Sequence, residues 1–248
     1  IRAFLEYAAQ EYLWIMPVYT DACTIVGVKT TNHAIEYFEP NEMTALLAAP
    51  SGNNKTDRRN HMILIFLYDT AARVDEARQV KVSDLHLDAE VPYVTLLGKG
   101  RKYRNIPLMD KTILHLKRFL KDFHGSELKT DMPLFYSKIH GQVHELSSDT
   151  FEKMIKRYAA QCRAGGYSMP DNVHCHMIRK TRAMDLYREG VPLTHIQQLL
   201  GHENISTTSV FYAFATLDVL AKAMETVNPD NGVKSWSNPD TLERLYRL

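Results

Sequence analysis

Between His176 and Tyr212 the chain brings together His-x-x-Arg (His176, Arg179), a Leu199-Leu200-Gly201-His202 run, and Ser206-Thr207-Thr208 leading to Phe211 and Tyr212. An imidazole and a guanidinium three apart in a segment of helical period project from one face, so they share one site. With a phenol close behind, the chemistry suggested is attack by a phenol on an anion held by Arg and His. Upstream, Arg73 is followed three residues on by Glu76, close enough for a carboxylate to hold the guanidinium by charge-assisted bonds. Most pairs at that spacing merely decorate a solvated face. Lys99 lies between Gly98 and Gly100, where no Cβ blocks a phosphate backbone, and it leads into Arg101, Lys102 and Arg104. The competing reading of that turn is a solubilising loop that protects a hairpin.

The elements that must position these residues follow from period and punctuation. Residues 1–14 have a helical pattern (Phe4, Leu5, Ala8, Ala9, Tyr12) that starts without a cap, as though cut from a longer protein, and 17–37 show no sustained period and read as a linker. Glu39-Pro40-Asn41 opens a short helix over 42–49. Residues 57–72 are apolar all round from Met62 to Tyr68, which predicts a helix buried in a helical core with Arg73 at its exit. Two β-branched and aromatic runs, 91–97 and 103–107, predict a hairpin whose basic tip holds Lys99, and 134–136 is expected to extend the sheet. Residues 110–123 are amphipathic. Asp149 with Glu152 reads as a capping box opening a helix whose Lys153, Lys156 and Arg157 could lie along DNA, although such a stripe is usually a solvated face. Glu189-Gly190 ends the His176 helix, Pro192 starts another, and Gly201 ends that one. Asn228-Pro229-Asp230-Asn231-Gly232 precedes a short amphipathic helix over 240–248 that needs a docking surface.

A chain of 248 residues with 45% hydrophobic content is long enough for a substantial core. No apolar run is long enough to span a bilayer, the first ten residues do not read as a secretory signal, and no membrane partner is expected. Cys23, Cys162 and Cys175 show no regular spacing, which fits a reducing, cytoplasmic compartment. His174, Cys175, His176 and Cys162 lack the paired spacing of metal ligands, so neither a metal nor a cofactor is expected. The net charge of +1 argues weakly against a nucleic-acid partner, because the cations cluster locally at 99–104 and 153–163. His195, Trp14 and Trp236 read as packing or surface residues.

Together these pieces resemble the tyrosine recombinase, or phage integrase, family. The resemblance is carried by Ala72-Arg73-Val74-Asp75-Glu76, Gly98-Lys99-Gly100 followed by Arg104-Asn105-Ile106-Pro107-Leu108, His176-Met177-Ile178-Arg179, Leu199-Leu200-Gly201-His202 and Ser206-Thr207-Thr208. Lys180 departs from a histidine that many members carry there. The resemblance implies an α+β fold, mainly α with a small antiparallel β-sheet. It implies a truncated core-binding domain and linker over 1–37, a catalytic domain over 38–228, and a tail over 229–248 that docks in trans on a neighbouring subunit. It further implies a site-specific DNA recombinase or integrase of a mobile element or phage, which cleaves and rejoins double-stranded DNA through a 3′-phosphotyrosyl intermediate and assembles on it as a dimer to tetramer. Arg73, Arg179 and His202 would hold the phosphate, His176 would accept the phenol proton or support the phosphate, and Lys99 would protonate the leaving 5′ oxygen. Glu76 would orient the arginine and histidine without touching substrate. Arg101, Lys102, Arg104, Lys153, Lys156 and Arg157 would contact DNA.

The family spacing after Leu-Gly-His puts the nucleophile at Phe211, which has no hydroxyl, with Tyr212 one residue later. Either the preceding loop carries one extra residue and Tyr212 attacks, or Phe211 replaces the tyrosine. The continuation Tyr212-Ala213-Phe214-Ala215 into Leu217, Leu220, Ala221 and Met224 favours Tyr212. The alternatives are an inactive DNA-binding relative, a substitution that traps a DNA complex, and a topoisomerase of the related tyrosine type.

Overall fold

The structure is a computed structural model that describes residues 1–25, 36–125 and 129–201, with Lys99 described by its backbone alone. His202, Phe211, Tyr212 and the tail over 229–248 lie outside the described residues. The chain forms two compact units, Ile1–Ile35 and a second beginning at Glu36. In the first, α1 (Arg2–Glu11) turns through Leu13–Ile15 into α2 (Met16–Thr24). The expected linker is therefore helical over its first third. Pro17 sits in the first turn, where its missing N–H has no helical partner to lose. Ala8 and Ala9 are buried, whereas Phe4 and Tyr12, read as the apolar face, are exposed.

The second unit is mainly α with small antiparallel sheets, as the family resemblance implies. It begins with α3 (Pro40–Ala48), where the Glu39 N–H donates to Glu42 at the third helical position (2.8 Å). Tyr37 already belongs to this unit, since Arg188 donates to its hydroxyl (3.1 Å). The long α4 (Lys55–Thr70) starts under an Asn54 cap that accepts from the Asp57 N–H. Its Met62, Ile63, Leu64, Phe66 and Leu67 are buried. It ends on Ala71, a buried non-glycine residue in the left-handed region (φ 49°), which turns the chain sharply into α5 (Val74–Gln79).

Three strands follow: β1 (Leu85–His86), β2 (Tyr93–Leu97) and β3 (Tyr103–Pro107), antiparallel in the order β1-β2-β3. The β2–β3 register pairs Val94 with Ile106 and Leu96 with Arg104, so Arg104 shares the inward face with Ile106. After α6 (Asp110–Phe123), β4 (Tyr136–Ile139) pairs with β5 (Gln142–Glu145) as a separate two-stranded hairpin. The run at 134–136 thus does not extend the first sheet. Leu134 instead donates to the Val80 carbonyl (2.7 Å), and buried Leu134 and Phe135 enter the core.

The last helices are α7 (Ser148–Ala164), α8 (Cys175–Arg188) and α9 (Leu193–Leu200). Helix α7 is capped by Ser147, which accepts from the Thr150 N–H (3.2 Å), and not by the expected Asp149–Glu152 box. Glu152 accepts instead from the Cys175 N–H at the start of α8 (3.2 Å), so tertiary packing takes the side chain from local capping. No helix of the described residues is long and apolar enough to cross a membrane. The main core gathers Phe38, Leu46, Leu64, Phe66, Leu96, Ile106, Phe135, Phe151 and Tyr158, with Phe66 edge-on to Phe135 at 5.4 Å between centroids. A second, smaller cluster of Ala71, Ala183, Met184, Ile196 and Leu200 packs α9 on α8 beside the left-handed turn.

Because Phe66 is fully buried, Phe66→Ala should cost about 3–5 kcal/mol, measured as a shift in the urea midpoint with unchanged slope.

Candidate active site

The ends of α4, α8 and α9, the first turn of α5 and strand β3 meet at one carboxylate. Glu76, only 4% exposed, stands at the third position of α5 and accepts the backbone N–H of Arg73 through Oε2 (2.7 Å). The Arg73 side chain donates from Nη1 to Oε1 (2.8 Å). From β3, Arg104 donates with both arms of its fork, Nη1 to Oε1 and Nη2 to Oε2, each at 2.7 Å. From α8, Arg179 Nη1 stands 4.0 Å from Oε2. The bland reading of Arg73 and Glu76 as a solvated surface pair fails, because the carboxylate is buried among three guanidiniums.

Burial works against ionisation of Glu76, but the bonds from Arg104 and from the backbone and side chain of Arg73 overcome it and hold its carboxyl at about 2. Arg179 is 3% exposed; it donates from Nη1 to the Ala71 carbonyl (2.6 Å) and from Nη2 to the Leu200 carbonyl. It thereby satisfies both the strained turn after α4 and a carbonyl at the C-terminal end of α9. Burial, and next the charge of Arg73, bring its guanidinium down to about 9, so it remains cationic at neutral pH. Arg73 is 36% exposed and is the more accessible of the two.

His176 stands one residue into α8, with its surface open to solvent at one side. Partial desolvation, then the charges of Arg179, Lys180, His174 and Arg73, lower the pKa of this solvent-exposed imidazole, so it is neutral at pH 7. It can accept a proton there. His176 and Arg73 lie 103 positions apart in sequence, yet the charge of Arg73 reaches this ring.

The predicted DNA-contacting cations separate into different fates. Arg104, expected to face DNA, is 13% exposed and turned inward, because β3 alternation puts it on the face of Ile106. The signal was available in the period of the strand. At Gly98 a Cβ would meet Arg104 Nη1 and the Lys102 carbonyl at 3.3 Å, so the missing side chain makes room for the Arg104–Glu76 pair. Arg101 and Lys102 are exposed beside the turn at Lys99–Arg101, with Gly100 and Arg101 both at positive φ.

On α7, Lys153 pairs with Asp149 (2.7 Å), while Arg157 bonds Asp57 (3.3 Å) and lies over the Tyr158 ring. Both cations remain largely exposed, so these are surface pairs. Lys156 instead lines a cleft of about 400 Å³ with Arg163, Asp171, Asn172 and His174, next to the start of α8. Asn172 was not legible as a site residue, since nothing in its spacing ties it to Lys156.

The phage integrase family model matches residues 36–216, from the start of the second unit through all the motifs above. The chain belongs to the phage integrase family. It is 32% identical over 213 residues to the tyrosine recombinase XerD of Staphylococcus saprophyticus, covering 85% of this chain and 68% of that protein. The tyrosine recombinase XerC of Staphylococcus epidermidis is 30% identical over 184 residues, which cover 74% of this chain and 59% of that relative. Among solved structures, the XerH site-specific recombinase bound to a palindromic difH substrate in a post-cleavage complex superposes with a TM-score of 0.65 at 25% identity, covering 82% of this chain and 56% of that one. The Tn1549 transposon integrase in complex with circular intermediate DNA shares the fold at a TM-score of 0.63 and 19% identity, covering 85% of this chain and 74% of that one.

In the unfolded chain Glu76 binds a proton near its ordinary value of 4.5, whereas in the folded chain it stays ionised to about 2. Between those values the unfolded state carries more protons, so stability present above pH 4.5 is lost as pH falls through the window. The loss attributable to this group is on the order of 3 kcal/mol. Urea melts between pH 5 and 2 should show it, and Glu76→Gln should flatten that part of the curve while lowering stability at neutral pH.

Proposed function

We propose that this chain is a site-specific DNA strand-exchange enzyme that cleaves and rejoins DNA through a 3′-phosphotyrosyl intermediate. The observation that carries the reading is the charge balance at Glu76. Three guanidiniums face one carboxylate there, leaving two positive charges uncompensated beside a neutral imidazole. A phosphodiester under attack gains negative charge on its non-bridging oxygens, and a preorganised excess of positive charge stabilises that state more than the ground state. Arg73 and Arg179 supply planar donors that keep their charge, and His202 adds a hydrogen bond.

The step balances in atoms and charge. The Tyr212 oxygen forms a bond to phosphorus, its proton goes to neutral His176, and the bond to the 5′ oxygen breaks as Lys99 supplies a proton to that oxygen. The phosphotyrosyl link conserves the bond energy, so a 5′ hydroxyl from a second strand reverses the step without ATP. Glu76 orients Arg73, whose backbone and side chain both donate to it, without touching substrate. Duplex DNA is the substrate by analogy with the difH and circular-intermediate complexes of the structural relatives, and the transposon integrase favours a mobile-element role. Assembly on DNA as a dimer to tetramer, with the 229–248 tail docking on a neighbour, completes the reading. Arg101, Lys102, Lys153, Lys156 and Arg157 are exposed and would meet the DNA backbone.

A nicked suicide duplex carrying the recombination site tests this. Wild-type protein should form a covalent protein–DNA adduct on a denaturing gel, and Tyr212→Phe should abolish it. An adduct that survives Tyr212→Phe removes Tyr212 as the nucleophile. If wild type gives none and Phe211→Tyr creates one, the chain is an inactive relative; no adduct from either sinks the enzyme reading.

A further inference from the structure

We propose that Arg104 is a positioning residue of the strand-exchange site, one that occupies Glu76 so that the carboxylate cannot quench the phosphate-binding arginines, and that fastens the end of α9. The proposal rests on the strand-exchange reading above. A carboxylate offers about four acceptor sites. On Glu76 four bonds are made: two from the Arg104 fork, one from the Arg73 backbone N–H and one from Arg73 Nη1. Arg179 is left at 4.0 Å, outside hydrogen-bond distance, and donates instead to the Ala71 and Leu200 carbonyls. Without Arg104, the vacated lone pairs would draw in Arg73 and Arg179, which already stand 2.8 and 4.0 Å from the carboxylate. Each new bond to Glu76 would cost the phosphate a donor.

The same guanidinium reaches the other side of the site. Arg104 Nε donates to the Leu199 carbonyl (3.1 Å), so it and Arg179 hold consecutive carbonyls at the end of α9, just before the chain continues to His202. Two glycines of the family-like motifs make way for it. A Cβ on Gly201, at φ +61°, would lie 3.2 Å from Arg104 Cδ and Nη1, and one on Gly98 would lie 3.3 Å from Nη1. Gly98 is joined to Lys102 across the base of the hairpin tip (2.8 Å). One side chain thus ties the base of the Lys99 turn, the carboxylate under Arg73 and the last turn of α9. At 13% exposure it is poorly placed to contact DNA itself.

The test compares full-length wild type with Arg104→Gln and Arg104→Lys in three measurements: thermal melting, duplex binding by gel shift, and the rate of adduct formation on the suicide duplex from pH 5 to 9. Both variants should bind duplex DNA as wild type does. Arg104→Gln should cleave about 100-fold more slowly, the scale expected when catalytic groups are misplaced by about an ångström. Arg104→Lys, which keeps the charge and loses the fork, should recover part of the rate. With Arg104 neutralised, burial raises the Glu76 carboxyl, so the variant should lose rate on the acid side at a pH where wild type does not.

A wild-type rate with an unmoved acid limb overturns the proposal, as does a rate loss that merely tracks weaker DNA binding. If Arg104→Gln fails to fold, Arg104→Lys carries the test, and an unchanged rate and limb there are equally fatal. If wild type forms no adduct, the strand-exchange reading fails separately. The positioning claim is then decided by a crystal structure of the lysine variant: Arg73 or Arg179 drawn onto Glu76 supports it, and both unmoved overturns it.

Discussion

The buried carboxylate of Glu76 is the constraint on which the rest of the site depends. Leaving water costs a lone carboxylate several kcal/mol, and Glu76 tolerates its position only because guanidinium and backbone donors fill its lone pairs. Those donors come from distant parts of the chain: the first turn of α5, strand β3 and, more loosely, helix α8. Burial makes the arrangement stiff. A carboxylate with every lone pair occupied has one low-energy geometry, which is what a phosphate clamp needs if its donors are to be in place before the charge develops.

Two left-handed turns let these elements meet. Ala71 bends the chain after α4 so that its carbonyl points at Arg179, and Gly201 closes α9 against the flat face of Arg104. At Ala71 the conformation is strained for a residue with a Cβ, at a cost of roughly 1–2 kcal/mol. Its complete burial within the small cluster under α9, and the bond from Arg179, hold it there. The small core is thus part of the site. Ile196 and Leu200 pack α9 onto α8, and the arginines capping the end of α9 are the ones that face Glu76.

Positive charge near the site divides by burial. Arg104 and Arg179 are spent inside the protein, Arg157 and Lys153 are paired with carboxylates, and Arg73, Lys156 and the exposed hairpin cations remain toward solvent. A chain of net charge +1 can therefore present positive potential locally, because its cations are unevenly distributed along the chain.

Local patterns determined much of this protein. The all-round apolar run at Met62–Leu67 specified a buried helix, the alternation through Val94, Leu96 and Ile106 specified a hairpin, Gly201 specified a helix end, and the ordered motifs specified the family. Each of these rests on interactions within one turn of helix or one strand pair, which the sequence writes directly. What only the tertiary structure decided is where the charged side chains go. Glu152 leaves its expected cap for the Cys175 N–H, Arg104 turns from a presumed DNA contact into a partner of Glu76, and Gly98 makes room for it. Residues 16–24 form a helix although their period is weak, because α2 packs on α1. A long charged side chain has several partners within reach, and local sequence leaves the choice among them open. Burial settles it, since a charge removed from water must take the partner that the folded chain brings to it.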